Sequence, residues 1–225
     1  MSDIALQSIA EDAVKNLAKE VSPEIATLTI DSRLSPLQQF RIDAYALLGS
    51  LLSQAPSQPL LNWLQAIELN DDQQSGMREA WSVLQLAAER ADPEQVAEEY
   101  HQLFIGIGRG ELLPYGSWYM TGFLMEQPLL ILRQDLERLG FERDPEVREP
   151  EDHIAALCQV MAMLVNPDTG VDRSQQGQFF ERHMAPWWSR FTEDLQASST
   201  AHFYSAVGRF AELFFEQEAQ LLEKP

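Results

Sequence analysis

The sequence predicts an all-α fold, a globular bundle of about ten helices with no strands. Two observations carry this. Apolar positions recur at three- and four-residue intervals nearly throughout, and the alternation of a half-buried strand is absent. Hydrophobic residues make up 45% of the 225, with Trp, Phe and Tyr all in use, so a sizeable core can form. Neither an internal repeat nor a low-complexity tract interrupts the pattern.

The elements follow in order. Residues 3–20 read as a short amphipathic helix, followed by a polar connection containing Pro23, Asp31 and Ser32. Ser35-Pro36 supplies an N-cap and a first helical position, after which Leu37, Phe40, Ala44, Leu47, Leu48, Leu51 and Leu52 line one face. Pro56 and Pro59 end that helix, and a shorter one carries Leu60, Leu61, Trp63, Leu64 and Ile67. Residues 72–90 form the next. Asp92-Pro93-Glu94-Gln95 opens another, with Val96, Tyr100, Leu103 and Phe104 inward and a stop at Gly106.

Residues 106–117 are the one long non-periodic stretch, and they are apolar for a loop, so they must pack against the protein or a ligand. Helical pattern then runs to Leu139, interrupted at Pro128 and stopped by Gly140. The charged connection 141–150 is a candidate hinge between two helical halves. Helices from Glu151 to about Leu164, across 172–197 (bent or split at Pro186) and over about 200–222 complete the chain.

Charge narrows the partners. Thirty-five acidic against 16 basic side chains give a net charge of −19, with lysine only at Lys15, Lys19 and Lys224. Nucleic acid and anionic lipid need clustered Lys and Arg, so neither is expected; a neutral or basic partner is. The single cysteine, Cys158, has no disulfide partner and sits among apolar helix positions, as a small core residue does. Without a basic n-region and apolar h-region at Met1, or any apolar run of about eighteen residues, a cytoplasmic protein with no integral membrane segment is expected.

Catalytic signals are missing. The four histidines (His101, His153, His183, His202) form no H-x-x-x-H or H-E-x-x-H set, so no metal site is predicted. Gly106, Gly108 and Gly110 follow a helix rather than a strand and lack a Lys-Ser/Thr, which argues against a phosphate loop. Glu149-Pro150-Glu151-Asp152-His153 reads as a proline-started helix with Glu151 and Asp152 in its first turn. Asp152 and His153 would then point about 100° apart and display a carboxylate and an imidazole at the helix mouth, suited to a cationic group.

Three motifs stand in order: Tyr100-His101-Gln102-Leu103-Phe104-Ile105-Gly106, then Pro114-Tyr115-Gly116-Ser117-Trp118-Tyr119, then Glu149-Pro150-Glu151-Asp152-His153. Together they resemble the TorD/DmsD/NarJ family of cytoplasmic chaperones, which mature molybdenum-containing redox enzymes before export by the twin-arginine pathway. The resemblance spans about residues 40–215, and Phe179 to Trp187 and Phe203-Tyr204 are similar to the family's C-terminal helices. It implies an all-α chaperone domain over 36–222, no catalytic centre and no cofactor. The partners it implies are a signal peptide bearing paired arginines and the apo-form of the molybdoenzyme.

By position, the resemblance assigns Pro150, Asp152 and His153 to signal-peptide binding, with the carboxylates of Glu149 and Glu151 beside them; Tyr115, Ser117 and Tyr119 match the loop motif. Gly116 stands where many members carry Glu or another bulky residue, which predicts a more mobile loop here. Residues 1–35 have no match and form an extension of open role. The 141–150 hinge would permit a domain-exchanged dimer as well as a monomer. Two rival functions stand beside this one. The first is an all-helical nucleotide-binding protein or enzyme using 106–117, with GTP as the ligand that some relatives suggest. The second is a general protein-binding adaptor.

Overall fold

The computed structural model describes residues 34–67, 75–142 and 147–223, and among these are ten α-helices and no strand. The expected helix over 3–20, and residues 143–146 of the candidate hinge, lie outside the described residues. Helix α1 (Pro36–Ser53) begins with a reciprocal cap: Ser35 Oγ accepts from Gln38 N–H, and the Gln38 side chain accepts from Ser35 N–H. Helix α2 (Gln58–Gln65) has Ser57 as its cap, and Pro59 falls in its first turn, so this proline starts a helix rather than ending one. Helix α3 covers Ser75–Glu89. Asp92 opens α4 (Pro93–Tyr100) by accepting from Glu94 and Gln95 N–H, and a π turn over His101–Ile105 extends it to Gly106.

Helices α5 (Gly116–Thr121) and α6 (Gln127–Arg138) occupy the stretch predicted as one interrupted helix. Gly122, left-handed at φ 82°, ends α5, and Pro128 lies in the first turn of α6. Helix α7 runs Ile154–Val165, α8 Arg173–His183, α9 Trp188–Ala197 and α10 Phe203–Leu222. The split between α8 and α9 falls around Pro186, as expected.

Helix α10 is the hub. It packs on α1, α3, α4, α8 and α9, while α1 lies along α7. Its Tyr204, Phe210, Phe214 and Phe215 are fully buried, as are Tyr45, Trp187 and Phe191. Cys158 is buried on α7, where burial pushes its thiol pKa up and keeps it uncharged.

Two buried carboxylates organise this core. Glu218 of α10 holds Arg41 of α1 through both oxygens at 2.7 and 2.9 Å and also accepts from the Tyr45 hydroxyl, while Gln176 of α8 accepts a further Arg41 N–H. Glu99 of α4 accepts from the backbone N–H groups of His202, Phe203 and Tyr204, capping α10, whose own N-cap makes no side-chain hydrogen bond.

Removing one partner of a buried ion pair strands the other charge at a cost of about 3–5 kcal/mol, whereas apolar replacement of both is far milder. Glu218→Gln is therefore expected to lose roughly that much stability in urea unfolding, and Arg41→Met with Glu218→Leu clearly less. A single substitution as mild as the pair would contradict the stranded-charge account.

Candidate functional site

Segments 114–116 and 152–154 meet at an antiparallel bridge between Tyr115 and His153. Gly116 N–H donates to the Asp152 carbonyl, and Ile154 N–H donates to the Pro114 carbonyl, both at 2.9 Å. The bridge overturns the predicted helix start. With its backbone committed to 114–116, the 152–153 segment cannot be helical, and α7 begins at Ile154. His153 is its N-cap, with Nδ1 accepting from Ala155 N–H at 3.1 Å. Asp152 and His153 are thus buried rather than displayed at a helix mouth.

Asp152 is 3% exposed. Its Oδ2 accepts from Ser117 N–H at 2.7 Å, which caps α5 from across the chain. Its Oδ1 is buried without a hydrogen-bond partner. An orphaned buried carboxylate oxygen is costly, and one beside a cavity calls for a donor. Such a cavity is there: about 380 Å³, mostly apolar, with Asp152 and Gly116 in its lining beside Met120, Pro128, Ile131 and Leu132.

The other expected site residues surround this point in supporting roles. The Tyr115 hydroxyl donates to Glu149, and its ring meets the His153 imidazole edge-on at 5.1 Å between centroids. Burial and that hydrogen bond push the Tyr115 pKa up. Ser117 is buried, and its Oγ accepts from Met125 N–H. Tyr119 stacks on Trp187 at 5.4 Å, and its hydroxyl donates to Asp194. Glu151 accepts from Arg133 of α6 at 2.9 and 3.0 Å. Pro150 shapes the turn, its carbonyl accepting from His153 N–H.

Gly116 is packed, contrary to the mobile loop predicted there. A Cβ at that position would lie 3.1 Å from Trp187 Nε1, so the glycine is what lets α5 approach the indole, whose N–H donates to the His183 carbonyl. Gly106 and Gly110 likewise have a packing reason: a Cβ on either would meet backbone atoms at 2.1 and 2.4 Å. Their role in the loop is steric, and needs no phosphate.

Arg182 and His183 also line the cavity and were not legible as site residues, because α8 reaches the site only through tertiary packing. Both donate to Asp135 Oδ2 at 2.9 Å, and Arg138 donates to Asp135 Oδ1 at 2.6 Å, so Arg182 shares one carboxylate with a second arginine. Burial opposes the ionised form of Asp135, but Arg182 and His183 outweigh it and lower its pKa. Among the described residues no group of three or more His, Cys, Asp or Glu is placed to hold a metal ion. No described helix is long and apolar enough to cross a membrane.

Burial lowers the pKa of His153, against the opposing pull of Glu149 and Asp152. The folded chain therefore excludes a proton that the unfolded chain takes up near pH 6.5, and protonating Nδ1 would remove the α7 cap. Its contribution is full above that pH and is lost as pH falls through 6.5 toward the lower folded-state value. His183, also lowered by burial, acts in the same direction, whereas Asp43, raised by burial to about 7, acts against it. The difference between variants isolates His153. His153→Asn keeps a capping acceptor that does not titrate, so its melting temperature should fall less than wild type's between pH 7.5 and 5.5; equal falls would refute the neutral cap.

Comparison with known proteins places this geometry in context. A family model described as nitrate reductase delta subunit matches residues 70–193. The chain is similar to the Tat proofreading chaperone DmsD of Salmonella typhimurium, 30% identical over 78% of this chain and 87% of that one. It is also similar to the chaperone protein TorD of Vibrio cholerae, 27% identical over 68% of this chain and 76% of that one. A solved Archaeoglobus fulgidus structure, described as that of a redox enzyme maturation protein, shares the fold at a TM-score of 0.53 and 21% identity, over 78% of this chain and 93% of that one. The named relatives are chaperones rather than catalysts, and with more than half its length matched, this chain belongs to the TorD/DmsD/NarJ family of redox-enzyme maturation chaperones.

Proposed function

We propose that the protein is a cytoplasmic chaperone for a molybdenum-containing redox enzyme, binding its twin-arginine signal peptide and apo-form before cofactor insertion and export. The observation that carries this is Asp152, which lines an apolar cavity and whose Oδ1 is a buried carboxylate oxygen without a partner. A guanidinium supplies the missing N–H donor and a compensating charge, and the apolar walls suit the hydrophobic stretch that follows the arginines. Arg182 in the same lining is already paired with Asp135, which lowers its repulsion of an incoming arginine.

Magnitudes fix the division of labour. Exposed ion pairs contribute about 0.2–1 kcal/mol, while a charge-assisted hydrogen bond contributes about 1.5–3. Of the acids assigned to peptide binding, Asp152 is the buried one; Glu149 and Glu151 already accept from Tyr115 and Arg133. Reversible capture and release fit an affinity near micromolar, about −8 kcal/mol.

Asp152→Asn keeps an acceptor for Ser117 N–H, removes the charge and replaces the free Oδ1 acceptor with an NH2 donor. In calorimetry with a synthetic Arg-Arg signal peptide it should weaken binding about 10- to 100-fold, with helical content unchanged. Wild-type affinity in this variant would defeat the proposal.

A further inference from the structure

Two buried side-chain oxygens among the described residues have no hydrogen-bond partner: Asp152 Oδ1 and, far from it in sequence, Gln39 Oε1. Gln39 stands on α1, which turns Phe40, Arg41 and Tyr45 to α10 and sets Gly49 against α7. At 100° per residue, Gln39 lies opposite Leu48 and Asp43 opposite Leu52, and both leucines belong to the core. Gln39 and Asp43 therefore share the outward side of α1, and half-buried Ala46 and Ser50 continue that stripe with small side chains. A polar stripe turned from the core belongs in water. This one is shielded: Gln39 is 6% exposed, and its Nε2 donates to Asp43 Oδ1 at 2.8 Å. Burial pushes the Asp43 pKa up to about 7. A paired cation would pull it down, and among the described residues none acts on it. The stripe thus holds an orphaned acceptor and an uncompensated carboxyl four residues apart, and both call for charged N–H donors.

We propose that this stripe seats the chain's own N-terminal segment, residues 1–33, with Lys15 and Lys19 donating to Asp43 and Gln39. The occupant follows from charge, spacing and reach. Two of the chain's three lysines lie in this segment, and their spacing of four matches that of the acceptors. An ammonium is a compact charge with three donors on a long apolar stem, which suits a carboxylate and an amide oxygen set among small residues. The segment also ends in the right place, since it runs into α1 through the Ser35 cap. About 50 Å of extended backbone between Lys19 and that cap has only about 12 Å of helix to retrace to Asp43. Residues 1–33, which match none of the three motifs, thereby become a clasp on the side of α1 turned from α10. The seat is independent of what Asp152 binds.

Hydrogen exchange and thermal unfolding of the full-length protein near neutral pH test it. Backbone amides within residues 10–20 should exchange about tenfold or more below the rate of an unstructured chain. Asp43→Asn is isosteric and removes the charge. It should release that protection, although it lies on a different segment, and lower the melting temperature by about 3–10 °C. Lys15→Met with Lys19→Met should do the same, and all three substitutions together should lower it no further than either set alone. Arg33→Ala should change neither reading. An unseated carboxyl gives the opposite sign: Asp43→Asn would then relieve a burial penalty and raise the melting temperature, which overturns the proposal. Unprotected residues 10–20 in wild type, lysine variants that melt as wild type does, or losses that add also overturn it. So does protection that disappears on dilution, which would put the lysines of a second copy on the stripe.

Discussion

The structure around the site depends on one buried aspartate serving two neighbours at once, through its backbone carbonyl and its carboxylate. Asp152 spends its backbone on Gly116 and one oxygen on Ser117, which fixes the start of α5 against the start of α7. Gly116 can take that place only because it has no side chain to meet Trp187, and Trp187 in turn ties α5 to the turn between α8 and α9. Four helices thus converge on a residue whose hydrogen-bonding capacity is half used. Leaving a buried acceptor unpaired costs about 1–3 kcal/mol, which the core around α10 must offset. The proposed function rests on that unpaired acceptor.

Much of the fold was legible because its signals are local. Ser35 with Gln38, and Asp92 with Glu94 and Gln95, sit within one turn of the groups they satisfy, so residue spacing alone announces α1 and α4. What was not legible is what arrives from far along the chain. Glu99 caps α10 from about a hundred residues away, and Asp152 caps α5 from 35 away. The start of α7 was misplaced for the same reason: Pro150, Glu151 and Asp152 make a good local helix N-terminus, but pairing with 114–116 competes for the same backbone and wins. Pro59 and Pro128 look like interruptions in the sequence, although both occupy the first turn of a helix, where a missing N–H costs nothing.

The candidate site divides along the same line. Asp152, His153, Tyr115, Ser117 and Tyr119 were identifiable from motif resemblance, and the structure brings them within one region. Their roles differ from a simple binding list: His153 caps a helix, Tyr119 packs on Trp187, and Ser117 bonds to both Asp152 and Met125. The wall contributed by Arg182 and His183 carries no sequence signal that connects it to Asp152. In the proposed function the overall charge of −19 acts at longer range, favouring encounter with a basic segment, and Asp152 Oδ1 is the acceptor that would hold it.

A crystal structure of the protein bound to an Arg-Arg signal peptide tests the central claim most directly. The account predicts a guanidinium nitrogen about 2.7–2.9 Å from Asp152 Oδ1, with Ser117 N–H still on Oδ2. A bound peptide that leaves Oδ1 without a donor would contradict it.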